Sequence, residues 1–138
     1  MLSPARSTFR PALLAATLVF LAGGVACQSV DAATVAAGIK SKMQLPFKID
    51  DDTRLDDVRA TAKKELGYFM TLTRMTKAQA DANPAFGNLL ESNLRGGACQ
   101  NPNYVKLMKG GLSVRLTYAS IDQVEVRKIV MVPRDCGL

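Results

Sequence analysis

The sequence predicts an α+β domain: a roughly four-stranded antiparallel sheet with short helices packed on one face and one disulfide near the end of the chain. Three observations carry that expectation. Apolar residues recur at helical spacing in several stretches and alternate strictly in four others. The alternating stretches fall into two adjacent pairs with helical sequence before and between them, an order that suits two hairpins joined in one layer under helices. Finally, Cys99 and Cys136 bracket a helix signal and the last two strand signals.

The 138 residues suffice for one domain, and the 48% apolar content is that of a globular chain. The amino terminus reads as an export signal. Arg6 and Arg10 precede the apolar run "PALLAATLVFLAGGVA", no acidic residue occurs before Asp31, and the run is short for a membrane-spanning helix. Two cleavage points compete. Val30 and Ala32 suit the −3 and −1 positions of an ordinary signal peptidase site, so that residues 1–32 are a leader and 33–138 the mature domain. Alternatively "GGVAC" resembles a lipobox, with Gly24 at −3, which removes residues 1–26 and leaves Cys27 acylated at an outer-membrane lipoprotein's first position.

Either cut takes Cys27 out of the thiol count. An even pair remains, Cys99 and Cys136, and in a periplasmic or secreted protein a disulfide between them is the natural inference.

From Ala33 to Met43, Val35, Ile39 and Met43 share one helical face, and Lys40 and Lys42 suit the carboxyl end of its dipole. Pro46 ends that helix, and "QLPFKIDDDT" is expected as a connector. Its Asp50, Asp51 and Asp52 do not follow a calcium-loop spacing and read as a solvated turn. Val58, Ala60 and Ala62 then alternate with polar residues, as do Leu66, Tyr68, Met70 and Leu72, giving a hairpin that turns near "KKE".

Thr76 and Gln79 have capping-box spacing for the next helix, which Asn83 and Pro84 interrupt. Phe86, Leu89, Leu90 and Leu94 line one face of the helix that follows, with Gly96 or Gly97 expected as its left-handed cap. Asn101 and Pro102 start another helix that Gly110 and Gly111 stop. Leu112, Val114, Leu116 and Tyr118 alternate cleanly, and a bulge at Arg127 and Lys128 is expected to keep Ile129 and Met131 on the buried face. The other face of the sheet is expected to stay wet, with Arg59, Thr61, Thr71, Thr73, Arg115 and Thr117 on it.

Four stretches in order, "LPFKIDDDTRLDDVRA", "LGYFMTLTR", "CQNPNYVKLMKGGLSVRLTY" and the final cysteine, resemble a group of small exported bacterial proteins. That group carries an L-P-x-x-(I/V)-D-x-x-T-R-L-D motif, a tyrosine-rich strand, a cysteine before a short helix and a Gly-aromatic strand. The resemblance spans nearly all of the mature chain and implies an exported α+β fold without an established biochemical activity. Where the group alternates tyrosines, this chain has "YFMTL".

The chain has no histidine, which removes Ser-His and Cys-His dyads and imidazole metal sites. P-loop, G-x-G-x-x-G and G-x-S-x-G patterns are missing too. The net charge of +6 falls to +4 without Arg6 and Arg10, and the remaining basic residues are scattered rather than striped, so nucleic acid is not an expected partner.

The expected function is therefore non-catalytic, without cofactor or metal: an exported protein binding an envelope protein or polymer. Membrane contact is expected only through the leader or an acyl anchor. Arg54, Arg59, Arg115, Tyr68 and Tyr118 are the candidate contacts, because arginine and tyrosine are enriched at binding hot spots. An outer-membrane lipoprotein acting as an assembly factor, or pilotin, is the first alternative. A glycan enzyme using Asp57 and Glu65 as its carboxylate pair is the second.

Overall fold

The computed structural model describes residues 30–138, so the expected leader as far as residue 29, and Cys27 with it, lie outside the described residues. The sheet has five strands rather than four, in spatial order β1 (Phe47–Lys48), β2 (Thr53–Ala62), β3 (Glu65–Leu72), β4 (Ser113–Ala119) and β5 (Glu125–Met131). The additional strand is β1, only two residues long. It lies inside the expected connector, where Phe47 and Lys48 pair with Leu55 and Arg54 across a turn closed by the Asp52 N–H donating to Asp50 Oδ1 at 2.8 Å. Two residues are too few to show an alternation, so periodicity could not reveal it.

The sheet is also mixed rather than antiparallel. β2 and β3 form one hairpin and β4 and β5 the other, but β3 and β4 run parallel, with Glu65 opposite Ser113 and Thr71 opposite Ala119. The physical reason is the crossover between them. Helices α2 (Lys77–Asp81), α3 (Pro84–Ala98) and α4 (Pro102–Lys109) carry the chain back to the end of the sheet at which β3 began, and a parallel neighbour requires such a return.

The buried face of the sheet holds Val58 from β2, Leu66 and Met70 from β3, Val114 and Leu116 from β4 and Ile129 and Met131 from β5, each 5% exposed or less. Helix α1 (Ala32–Lys42) covers β2 and β3, α4 covers β4, and α3 covers β5. Of the residues expected on the wet face, Thr71 is buried instead, its hydroxyl bonded to Asp56 Oδ2 at 2.5 Å. On β5 the register slips opposite Tyr118 and Ala119, making Val126 the extra residue rather than Arg127 or Lys128. Ile129 and Met131 reach the core as expected, while Arg127 turns to α3, where its guanidinium donates to Glu91 at 2.6 Å. Among the described residues, no helix is long and apolar enough to cross a membrane.

Caps fix the helices. Asp31 accepts from the Thr34 N–H at the start of α1, and Thr76 with Gln79 completes the capping box of α2. Gly96 and Gly97 prove to be interior to α3, which continues to Ala98, so neither is the left-handed cap. Among the described residues, the left-handed glycines are Gly111, just after α4, and Gly137. Asn101 Oδ1 accepts from the Asn103 and Tyr104 N–H groups, with Pro102 at the first helical position of α4. Asn101→Ala is expected to lower stability by about 1 kcal/mol, read from urea unfolding midpoints at unchanged slope.

Cys99, which caps α3, is bonded to Cys136 at the end of a 3₁₀ turn, Pro133–Cys136. The bridge joins the end of the helical layer to the segment leaving β5, as the pairing read from the sequence requires.

Candidate functional site

Helices α1 and α4 lie on the same face of the sheet but do not close over it. Between them runs an apolar trough of about 770 Å³. Its floor is Leu55, Tyr68 and Met70 from β2 and β3, one wall is Val35, Gly38 and Ile39 of α1, and the other is Tyr104 and Leu107 of α4. Phe47 and Ile49 stand at the rim, 47% and 49% exposed, with Lys42 and Lys106 also lining the opening.

The local reasons for this shape are legible residue by residue. The spacing of Val35 and Ile39 gives α1 an apolar face that overhangs the sheet edge, and Gly38 leaves that wall without a side chain: a Cβ built there meets nothing within 4 Å. Tyr68 and Tyr104 meet edge to face across the floor, ring centroids 5.4 Å apart and planes at 67°. Burial raises the Tyr68 hydroxyl well above the ordinary phenol range, Tyr104 nearby adding to it, and burial does the same to Tyr104. Both stay neutral, so the floor presents phenols among hydrocarbon, and the polar side chains of the lining are Lys42, Asn101, Asn103 and Lys106.

The opposite face of the sheet is built differently. The Arg59 guanidinium lies 3.8 Å from the Phe69 ring centroid, Arg54 Nε is 2.5 Å from Asp56 and Arg115 is 2.7 Å from Glu65. Gly67 permits this close packing, since a Cβ there would stand 2.8 Å from the Thr61 methyl. Charges on this face are largely engaged with one another.

The five candidate contacts are therefore separated. Arg54, Arg59 and Arg115 lie on the open face of the sheet. Tyr68 lies in the trough floor, and Tyr118 is 6% exposed on the core side, its hydroxyl pushed up to about 12, chiefly by burial. Sequence reasoning missed Ile39, Phe47, Ile49, Tyr104 and Leu107 as site residues. A usable signal was present in Phe47 and Ile49, two large apolar residues in a connector otherwise rich in charge.

The carboxylates proposed for glycan chemistry are held by cations. Asp57 is 2.7 Å from Lys40 and 3.2 Å from Arg59, and the hydrogen bond from Lys40 holds it below the usual carboxylate range against a modest cost of burial. Glu65 accepts from the Thr61 hydroxyl and forms an ion pair with Arg115. Among the described residues, no group of three or more His, Cys, Asp or Glu side chains is placed to hold a metal ion.

No family model matches the chain, and no curated protein does. Solved structures do. The chain is similar to the pilotin EpsS of the Vibrio vulnificus type II secretion system at 14% identity and a TM-score of 0.60, over 78% of this chain and 89% of that one. A Pseudomonas aeruginosa protein described as secreted matches at 13% identity and a TM-score of 0.61, over 75% and 91%. The Vibrio cholerae type II secretion pilotin AspS matches at 15% identity and 0.55, over 76% and 88%. At such identities the likeness is one of fold.

Proposed function

We propose that the chain is a non-catalytic, exported envelope protein that holds an apolar helical segment of a protein partner in the trough, acting as an assembly factor of the pilotin type. The open trough itself carries this reading. The trough is an open apolar groove with a helix on either side and the sheet beneath, and an amphipathic helix is recognised by its apolar face in grooves of this kind. The exposed Phe47 and Ile49 at the rim are apolar area that an occupant would bury. The shared fold with two pilotins supports the same reading.

The start of the fold supports the lipid-anchored form over the soluble one. A chain beginning at Ala33 would lack Asp31, which caps α1, and Ala32, which is fully buried and donates its N–H to the Lys63 carbonyl. It would also lack Val30, whose carbonyl accepts from Lys64 Nζ at 2.7 Å. Cleavage before Cys27 keeps all three. A glycan-cleaving acid needs a carboxyl raised toward neutrality, and Asp57 is shifted the other way.

Gly38 provides the test. Gly38→Leu places a branched side chain in the trough without touching the packed core, and it replaces a helix-interior glycine, so stability should rise by about 0.5–1 kcal/mol. Fluorescence anisotropy with labelled amphipathic peptides from the host's secretion-system proteins should detect binding to the native chain and binding ~10-fold or more weaker to G38L. Equal affinity for the two proteins, or no binding by any such peptide, would overturn the proposal.

A further inference from the structure

The two ends of the sheet carry opposite charge. Because β3 and β4 are parallel, they begin at one end, where the Ser113 N–H donates to the Lys64 carbonyl at 2.8 Å, and β5 finishes there with Met131 opposite Val114. That end collects Lys63 and Lys64 of the β2–β3 turn, Lys106 and Lys109 of the last turn of α4, and Arg134 of the 3₁₀ turn. Among the described residues, none of these five cations makes an ion pair. The nearby acids are engaged: Asp31 caps α1, Asp135 accepts from the Val132 N–H and lies 3.8 Å from Arg95, and Glu65 holds Arg115.

The far end is acidic. It carries Asp50, Asp51, Asp52, Asp81, Asp122 and Glu125, and its cations Lys48, Arg74 and Lys77 are each paired with an aspartate. The eight residues of β3 separate the two ends by about 25 Å, well beyond the screening length at physiological salt, so the two fields do not cancel.

The chain also enters the fold at the basic end. Val30 sits there against Gly110, at 3.0 Å from where a Cβ on that glycine would lie, and Lys64 binds its carbonyl. Only Gln28 and Ser29 lie between Cys27 and Val30, so three steps of chain bridge them, a reach of at most about 11 Å. We propose that this basic end is a seat for anionic phospholipid headgroups, on which the protein stands with its acidic end outward. The seat rests on the anchored, exported reading but not on what fills the trough. Lysines placed this close to an acyl attachment point supply the second signal that a single weak anchor needs. Because α1 starts at the basic end and runs toward the acidic one, reaching mid-sheet where Lys40 pairs with Asp57, the trough then rises from the membrane surface, and its occupant is held beside the bilayer.

The test uses the mature chain from position 27, carrying Cys27→Ser and exported behind a standard leader so that the disulfide forms. Sedimentation with phosphatidylcholine vesicles, with and without 30 mol% (about one lipid in three) phosphatidylglycerol, reads the headgroup term alone. Binding is expected to the anionic vesicles only and to fall about 25-fold in Lys63→Gln/Lys109→Gln. Arg74→Gln/Lys77→Gln, which removes the same charge at the acidic end, should leave binding within about two-fold of the parent, since those cations lie beyond screening range. Equal binding to both vesicle types, equal loss from both double variants, or binding to purified peptidoglycan but not to vesicles would each overturn the seat. Intact mass of the natively exported protein separates the two claims: a chain starting at Ala33 without acyl mass removes the anchored reading, whatever the vesicles report.

Discussion

Replacing both cysteines, Cys99→Ser with Cys136→Ser, is expected to lower the stability of the folded domain by about 4 kcal/mol. The bridge closes a loop of 37 residues that contains α4, β4 and β5, so the unfolded chain without it regains the freedom of more than a quarter of the molecule. For a domain of this size each kcal/mol corresponds to a shift of about 4–8 °C, and the melting temperature should fall by roughly 15–30 °C. Calorimetry of the native and double-serine proteins measures it directly. An unchanged melting temperature would show that the 3₁₀ turn is held to α3 by its other contacts. Arg95 on α3 reaches Asp135 of the turn at 3.8 Å and the Val130 carbonyl of β5 at 3.4 Å, but these are long, half-exposed interactions worth little beside a covalent tie.

Local chemistry was legible where a residue's role is settled by its neighbours in sequence. The alternation of Leu112 to Tyr118 gave a strand with the correct buried face, and Asn101 with Pro102 gave the start of α4. Gly96 and Gly97 misled because a helical glycine and a capping glycine look alike until the packing beyond them is known, and α3 ran through both to reach Cys99. The parallel pairing of β3 with β4 was not legible for a different reason: alternation records which face is buried, and it is the same for either strand direction. The trough was hidden more deeply. Its floor and walls come from β2, β3, α1 and α4, whose apolar residues each read singly as core, and only Phe47 and Ile49 at the rim stood out. Tyr68 was picked out for its residue type. Tyr104, its partner across the floor, lies in the helix that Asn101 and Pro102 start, and nothing in the sequence set it apart.

The second large effect links that core to the trough. Leu116 is 2% exposed at the middle of β4, paired with Ile129 on β5 and opposite Tyr68 on β3. Leu116→Ala should cost about 3–4 kcal/mol, the transfer free energy of the lost methyl groups plus the cavity that a strand fixed on both sides cannot collapse. Leu116→Met conserves volume and should cost less than about 1.5 kcal/mol. Chemical denaturation of the three proteins gives the ordering, and similar costs for alanine and methionine would mean that the site tolerates a void. The cavity in the alanine variant opens beside the Tyr68 ring, whose tilt against Tyr104 shapes the floor. Leu116→Ala should therefore weaken peptide capture by the trough at temperatures where the variant is still fully folded, although Leu116 itself does not line it. Capture lost only in step with unfolding would mean that the floor is set by α1 and α4 rather than by the sheet beneath them.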